Sequence, residues 1–95
     1  MSATHSLKCH PVPFQALWDG LKPYEVRHND RGFEVGDTLI LSELTPPGEW
    51  EPVSETCTGR TVTARVTYMT KGGEWGLNPP LCVLGLKVLA REGRL

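Results

Sequence analysis

Proline and glycine punctuate this chain so often that only short elements fit between them. Eight Pro and ten Gly fall within 95 residues, and each either fixes φ or opens the left-handed region, so turns recur throughout. One stretch carries a helical pattern: Phe14, Leu17, Trp18 and Leu21 stand at i, i+3, i+4 and i+7, the apolar stripe of a single helix. Pro13 suits its first turn and Gly20 the left-handed position after its last, which places it at about residues 13–19. Too few residues remain for further crossover helices, so the strands must pair mostly antiparallel.

Five strands are expected: His5–Cys9, Pro23–His28, Thr38–Leu44, Arg60–Tyr68 and Leu81–Ala90. The second alternates Tyr24 and Val26 against Glu25 and Arg27, and the fourth alternates Val62, Ala64, Val66 and Tyr68 against Thr61, Thr63, Arg65 and Thr67. Thr38–Leu44 is apolar on both faces at its centre, as a buried strand would be. Asn29–Gly32 and the stretch from Phe33 to Asp37 are turns. Residues 45–59 form a long acidic, Pro-rich loop, residues 71–80 a Gly-rich one, and residues 91–95 a frayed tail. The fold class is therefore mainly β: one domain, residues 1–95, in which a five- to six-stranded, mostly antiparallel β-barrel carries one inserted helix. Closing the sheet removes its edges, which is economical in so small a chain.

Composition narrows the setting. Hydrophobic residues make up 39% and charged residues 22%, a globular balance. No apolar run approaches the ~20 residues of a membrane span, and the first residues lack a basic and apolar leader. Three cysteines, Cys9, Cys57 and Cys82, have no paired spacing, so a reduced, cytoplasmic monomer with no membrane partner is expected. Charge is uneven along the chain. Residues 32–59 hold six carboxylates and no Lys or Arg, whereas the remainder sets ten basic residues against five acids, so the surface can have an acidic and a basic pole.

Several chemistries have no support in the pattern. His5, Cys9 and His10 are close in sequence, but no second ligand pair stands at structural-zinc spacing, so neither a metal nor a cofactor is expected. The Lys71-Gly72-Gly73 run precedes no helix, as a phosphate-cradling loop would. No Ser or Cys nucleophile has His and acid partners at a recognisable spacing. The chemistry concentrates instead in Lys22, Glu25, Arg27 and Arg31, where helix hands over to strand. Glu25 and Arg27 share a face, so a carboxylate can hold a guanidinium fork toward a phosphate or a base edge. The plainer outcome is a surface ion-pair cluster worth ~0–1 kcal/mol per pair.

The pattern Gly20-x-Lys22-x-x-Glu25-x-Arg27 resembles the G-x-K-x-x-E-x-R signature of the ASCH domain family, whose fold is like the PUA RNA-binding domain. His5-x-Leu7-Lys8, Phe14, Asn29-Asp30-Arg31-x-Phe33-x-Val35-Gly36-Asp37, Gly59-Arg60, Val66-Thr67-Tyr68 and Val83-Leu84-Gly85-Leu86 extend that likeness. Together they are similar to the small ASCH-like, DUF-type proteins common in phages and prophages. The resemblance implies a barrel with its helix after the first strand, and a cleft that binds RNA or a modified nucleoside through Lys22, Glu25 and Arg27. Some small relatives are amidohydrolases that deacylate a modified cytidine with a lysine, a threonine and a glutamate. Lys22 matches that lysine, Glu25 stands where the threonine would, and Glu74 is the only acid near the glutamate's place.

The resulting expectation is an RNA- or modified-nucleoside-binding module built on Lys22, Glu25, Arg27 and Arg31. Lys8, Arg60 and Arg65 are candidate flanking phosphate contacts, and Trp50, in an irregular loop, is a candidate stacking residue. Trp75 is expected to fold back and plug an end of the barrel. If the protein is an enzyme, Lys22 and Glu25 would be catalytic, acting on an acylated pyrimidine nucleoside. An ionised Glu25 beside it favours a charged, binding Lys22 over a neutral, attacking one. A third expectation is a host protein partner engaged through the acidic loop around residues 43–55.

Overall fold

A computed structural model describes residues 2–47 and 56–93. Its elements run β1 (Thr4–Cys9), α1 (Pro11–Trp18), β2 (Tyr24–His28), β3 (Thr38–Leu44), β4 (Cys57–Lys71) and β5 (Leu81–Glu92). The strands form one sheet in the order β1-β3-β4-β5-β2. Three of its interfaces are antiparallel; β1 and β3 are parallel, with α1 and β2 lying in the connection between them. The sheet curls into a half-barrel, aided by register shifts at Ser42/Leu44, Thr63/Ala64 and Val66/Tyr68 that raise local twist and bend the strands. The barrel does not close through backbone pairing, because β1 and β2, its two edges, have no ladder between them.

The concave side holds the core: Leu7, Leu39, Leu41, Val62, Ala64, Val66, Leu84 and Leu86, with Phe14 and Leu17 of α1 pressed down on them. The helix begins two residues before its expected start, since Pro11 and Pro13 both fit a first turn whose N–H groups need no partner. It also ends sooner. Gly20, at φ +76°, sends its N–H to the Leu17 carbonyl while Leu21 N–H reaches Ala16, a Schellman cap. Leu21 consequently leaves the apolar stripe and is exposed, and Lys22 is turned back toward the sheet.

Asp37, 2% exposed, fastens the opposite end. Its carboxylate accepts the Ala3 and Glu34 N–H groups and the His5 ring nitrogen at 2.9–3.0 Å. Burial pushes this carboxyl up, but those hydrogen bonds outweigh it and hold Asp37 below its ordinary value. β4 and β5 run beyond their expected bounds, β4 by several residues at each end. Arg91 belongs to β5, not to a frayed tail: its Nε donates to the Trp18 carbonyl at 2.7 Å, tying the strand to the helix end. No helix among the described residues is long and apolar enough to cross a membrane.

Candidate ligand cleft at the open seam

The seam between β1 and β2 is where the strand ladder stops and charged side chains come together. β2 turns Glu25 inward and leaves Tyr24 and Val26 outward, the reverse of what hydrophobicity alone favours. Glu25 is only 4% exposed. Two cations meet its carboxylate there: Lys22 Nζ donates to Oε1 and Arg27 Nε to Oε2, each at 2.7 Å. Arg27 then reaches across the gap, its Nη2 donating to the Lys8 carbonyl of β1 at 2.8 Å. Arg31 Nη1 does the same to the Ser6 carbonyl at 3.1 Å. The half-barrel is thus bridged by two guanidiniums in place of a strand ladder.

Beside these bridges lies a cleft of about 650 Å³, within the range of small-ligand sites. Lys8, Lys22, Glu25, Arg27 and Arg31 all line it, so five of the expected residues converge although they come from β1, β2 and two turns. The four cations outnumber the two lining carboxylates, Glu25 and Asp30. Arg27 spends two of its five N–H groups on Glu25 and Lys8, and Lys22 one of its three on Glu25, so donors remain for a ligand. His10, Pro13, Tyr24, His28, Phe33 and Leu81 are among the other residues of the wall. Sequence reasoning passed over these, because only the strand order reveals that β1 faces β2.

Cys9, on the floor, is an inert thiol: burial first, and then the nearby Glu25 charge, push it up to about 11 despite Arg27 and Lys22. A cysteine nucleophile is therefore not what this cleft offers. Its chemistry is a fixed donor array around one shielded carboxylate.

The other expected residues lie elsewhere. Arg60 is not a surface phosphate contact. It is 3% exposed and donates through Nε and Nη2 to Glu43 at 3.0 and 2.7 Å, and from Nη2 to Gln15 at 2.8 Å. Its guanidinium lies over the Phe14 and Trp18 rings, and Nη1 is buried with no partner among the described residues. Hydrogen bonds from Arg60 hold Glu43 below its ordinary value against its burial, with Thr58 adding to the effect. Glu43, counted with the acidic loop from its charge, is thus a buried β3 residue. Arg65 is exposed on the convex face of β4, away from the cleft. Trp75 does not plug the barrel: it is 96% exposed, on a turn with φ +50°. Glu74 accepts the Lys71 N–H in the same turn and does not line the cleft. Trp50 and residues 48–55 of the acidic loop lie outside the described residues.

Comparison with known proteins agrees on one point. Residues 4–86 match the family described as "Domain of unknown function (DUF3850)". Over 75 residues the chain is 40% identical to a protein of Escherichia phage P2 described as "Uncharacterized 12.9 kDa protein in GpA 3'region". That alignment covers 79% of this chain and 62% of the phage protein.

Proposed function

The chain belongs to the phage-associated DUF3850 family, and we propose that it binds RNA or a modified nucleoside in the seam cleft, the role that its resemblance to the ASCH signature implies. The observation that carries this reading is the buried Glu25 clamped between Lys22 and Arg27. A carboxylate shielded in that way is an acceptor held at one position between two sets of donors, which is the pattern needed to read the edge of a base. The excess of cations on the cleft wall supplies the attraction for phosphate.

The test is titration of fluorescent single-stranded RNA and of a panel of modified nucleosides, at several salt concentrations, with Arg27→Ala and Lys22→Ala beside the unaltered protein. Contacts to two or three phosphates give a slope of roughly −1.4 to −2.1 in log affinity against log salt, and both variants weaken binding. Absence of binding, or binding indifferent to salt and to both variants, refutes the reading.

A second reading rests on the 2.7 Å contact between Lys22 and Glu25, which places an amine and a carboxylate together in a cleft. It makes the protein an amidohydrolase of an acylated pyrimidine nucleoside. Incubation with acylated nucleosides distinguishes the two, since release of the acid that Lys22→Ala abolishes would establish turnover.

A further inference from the structure

The convex face of the sheet carries a second feature that the seam does not use. Tyr24 of β2 and Tyr68 of β4 each pair in register with Gly85 of β5. Directly opposed residues point to the same face, so two tyrosines stand on one row with only Gly85 between them on β5, and the Thr67 hydroxyl borders that glycine. Both are exposed; Tyr68, at 68%, is turned away from the face of Val62, Ala64 and Val66 that its alternation predicts, because the register shift between Val66 and Tyr68 inserts an extra residue. Tyrosine usually covers its ring when it can, and a bare pair flanking a glycine is an unpaired apolar surface.

Two strand spacings separate the tyrosine backbones, roughly 9.6 Å. Stacked aromatic partners lie ~4.5–7 Å apart centre to centre, so ring, planar guest and ring together take about 9–14 Å. Rings standing upright over those backbones would leave room for one planar group between Tyr24 and Tyr68 over Gly85. A Cβ at Gly85 would lie 3.4 Å from the Tyr68 Cβ, so a side chain there would fill the notch.

Charge specifies the guest further. One row along, Lys87 of β5 is paired with Arg65 of β4, both exposed. The other neighbouring row is Val26, Val83 and Thr70. None of these three rows carries a carboxylate. The face thus joins stacking surface to uncompensated positive charge. Tyr24 also lines the seam cleft, and Lys22 Nζ lies 5.1 Å from its ring centre, so the two surfaces meet at that residue.

We infer that the convex face of β2, β5 and β4 is a track for single-stranded nucleic acid, with a base held between Tyr24 and Tyr68 and flanking phosphates on Lys87 and Arg65. The inference extends the seam reading, since the track leads to the cleft at Tyr24, but its residues can be tested apart. A strand of nucleic acid suits the face because it alternates planar rings with negative charges, whereas an acidic peptide supplies the charge without the rings.

The experiment is fluorescence polarisation with labelled 12-nucleotide oligouridine and oligothymidine. It compares the unaltered protein with Tyr68→Ala, Tyr68→Phe, the pair Arg65→Glu with Lys87→Glu, and Arg27→Ala as the seam control. Tyr68→Ala is expected to weaken binding about ten-fold or more, because one stacked base is lost. Tyr68→Phe stays within about two-fold because the ring persists. The charge reversal weakens binding and flattens its salt dependence. Exposed positions tolerate these changes, and thermal melts confirm folding. If Arg27→Ala weakens binding while the Tyr68 and charge variants do not, the track is refuted and the seam reading stands. Failure of the unaltered protein to bind either oligonucleotide overturns the track as well. So does displacement by polyglutamate with Tyr68→Ala at full affinity, which would mark the face as a site for acidic protein. If the track variants weaken binding and Arg27→Ala does not, the track holds without the seam.

Discussion

Replacing Arg60 by methionine separates a structural role from the surface role its sequence position invites. Methionine keeps an apolar stem against Phe14 and Trp18, over which the guanidinium now lies at 5.3 and 4.8 Å. What is lost are the hydrogen bonds at 3.0 and 2.7 Å to Glu43 and the one at 2.8 Å to Gln15. Glu43 is then left buried as a carboxylate with the Thr58 hydroxyl as its remaining described partner. Stranding one member of a buried pair costs ~3–5 kcal/mol. The molecule is only 23 Å across its shortest axis, so no charge lies deep and the lower figure, about 3 kcal/mol, is expected. Against a total stability of roughly 5–14 kcal/mol for a chain this size, the melting temperature falls by about 12–24 °C. Pairing Arg60→Met with Glu43→Leu removes both charges and returns most of that loss, since apolar replacement of a whole buried pair is often neutral. Urea unfolding of the two single variants and the double variant measures the coupling directly. A loss below about 1 kcal/mol for Arg60→Met, accompanied by weaker oligonucleotide binding, would overturn the structural assignment and return Arg60 to the ligand surface.

Acid should destabilise the protein through two carboxylates. Asp37 and Glu43 are both held below their ordinary values in the fold, so their contribution is complete above the unfolded-state values and lost as pH falls through the folded ones. Urea midpoints should therefore hold steady down to about pH 5 and decline below it, more shallowly in Asp37→Asn; a midpoint that rises on acidification contradicts the assignment. Alkylation at pH 8 should label Cys57 quickly and spare Cys9 and Cys82, which are buried and whose thiols burial pushes up; fast labelling of all three under native conditions would show the core misdescribed. Trp75→Gly should leave stability within about 0.5 kcal/mol, because relief of the left-handed backbone offsets added freedom in the unfolded chain. It should also remove a red-shifted, quencher-accessible component of the fluorescence, and a large loss of stability would mean that the ring packs somewhere.

Local pattern carried much of the fold. A continuous apolar centre located β3 at its observed bounds, alternation located β4 and β5 at their centres, and the stripe of Phe14, Leu17 and Trp18 located α1. These signals are local, since a side chain's face follows from the period of its own element. Strand ends were less legible: β4 continues to Lys71 through residues whose partners lie on β5, and no local feature announces that pairing. The candidate site divides the same way. Lys22, Glu25, Arg27 and Arg31 were visible as a charged run between helix and turn, and the structure brings Lys8 to them. Arg60 and Arg65 stood out for the same reason, charge on an alternating strand. Yet one is buried against Glu43 and the other faces outward beside Tyr68, which only the curl of the sheet assigns.

The amino-acid order by itself determined a short-element, mainly β chain with one helix, a Gly20 stop, and Lys22, Glu25 and Arg27 spaced to make ion pairs. It did so because proline, glycine and alternation act within a few residues of themselves. Tertiary structure alone decided that β1 and β2 are the sheet edges, that Glu25 faces inward, and that guanidiniums span the gap to the Ser6 and Lys8 carbonyls. Those outcomes depend on which distant strands pair and how far the sheet curls. That is a balance of core burial and strand register summed over the whole chain, and no local stretch encodes it.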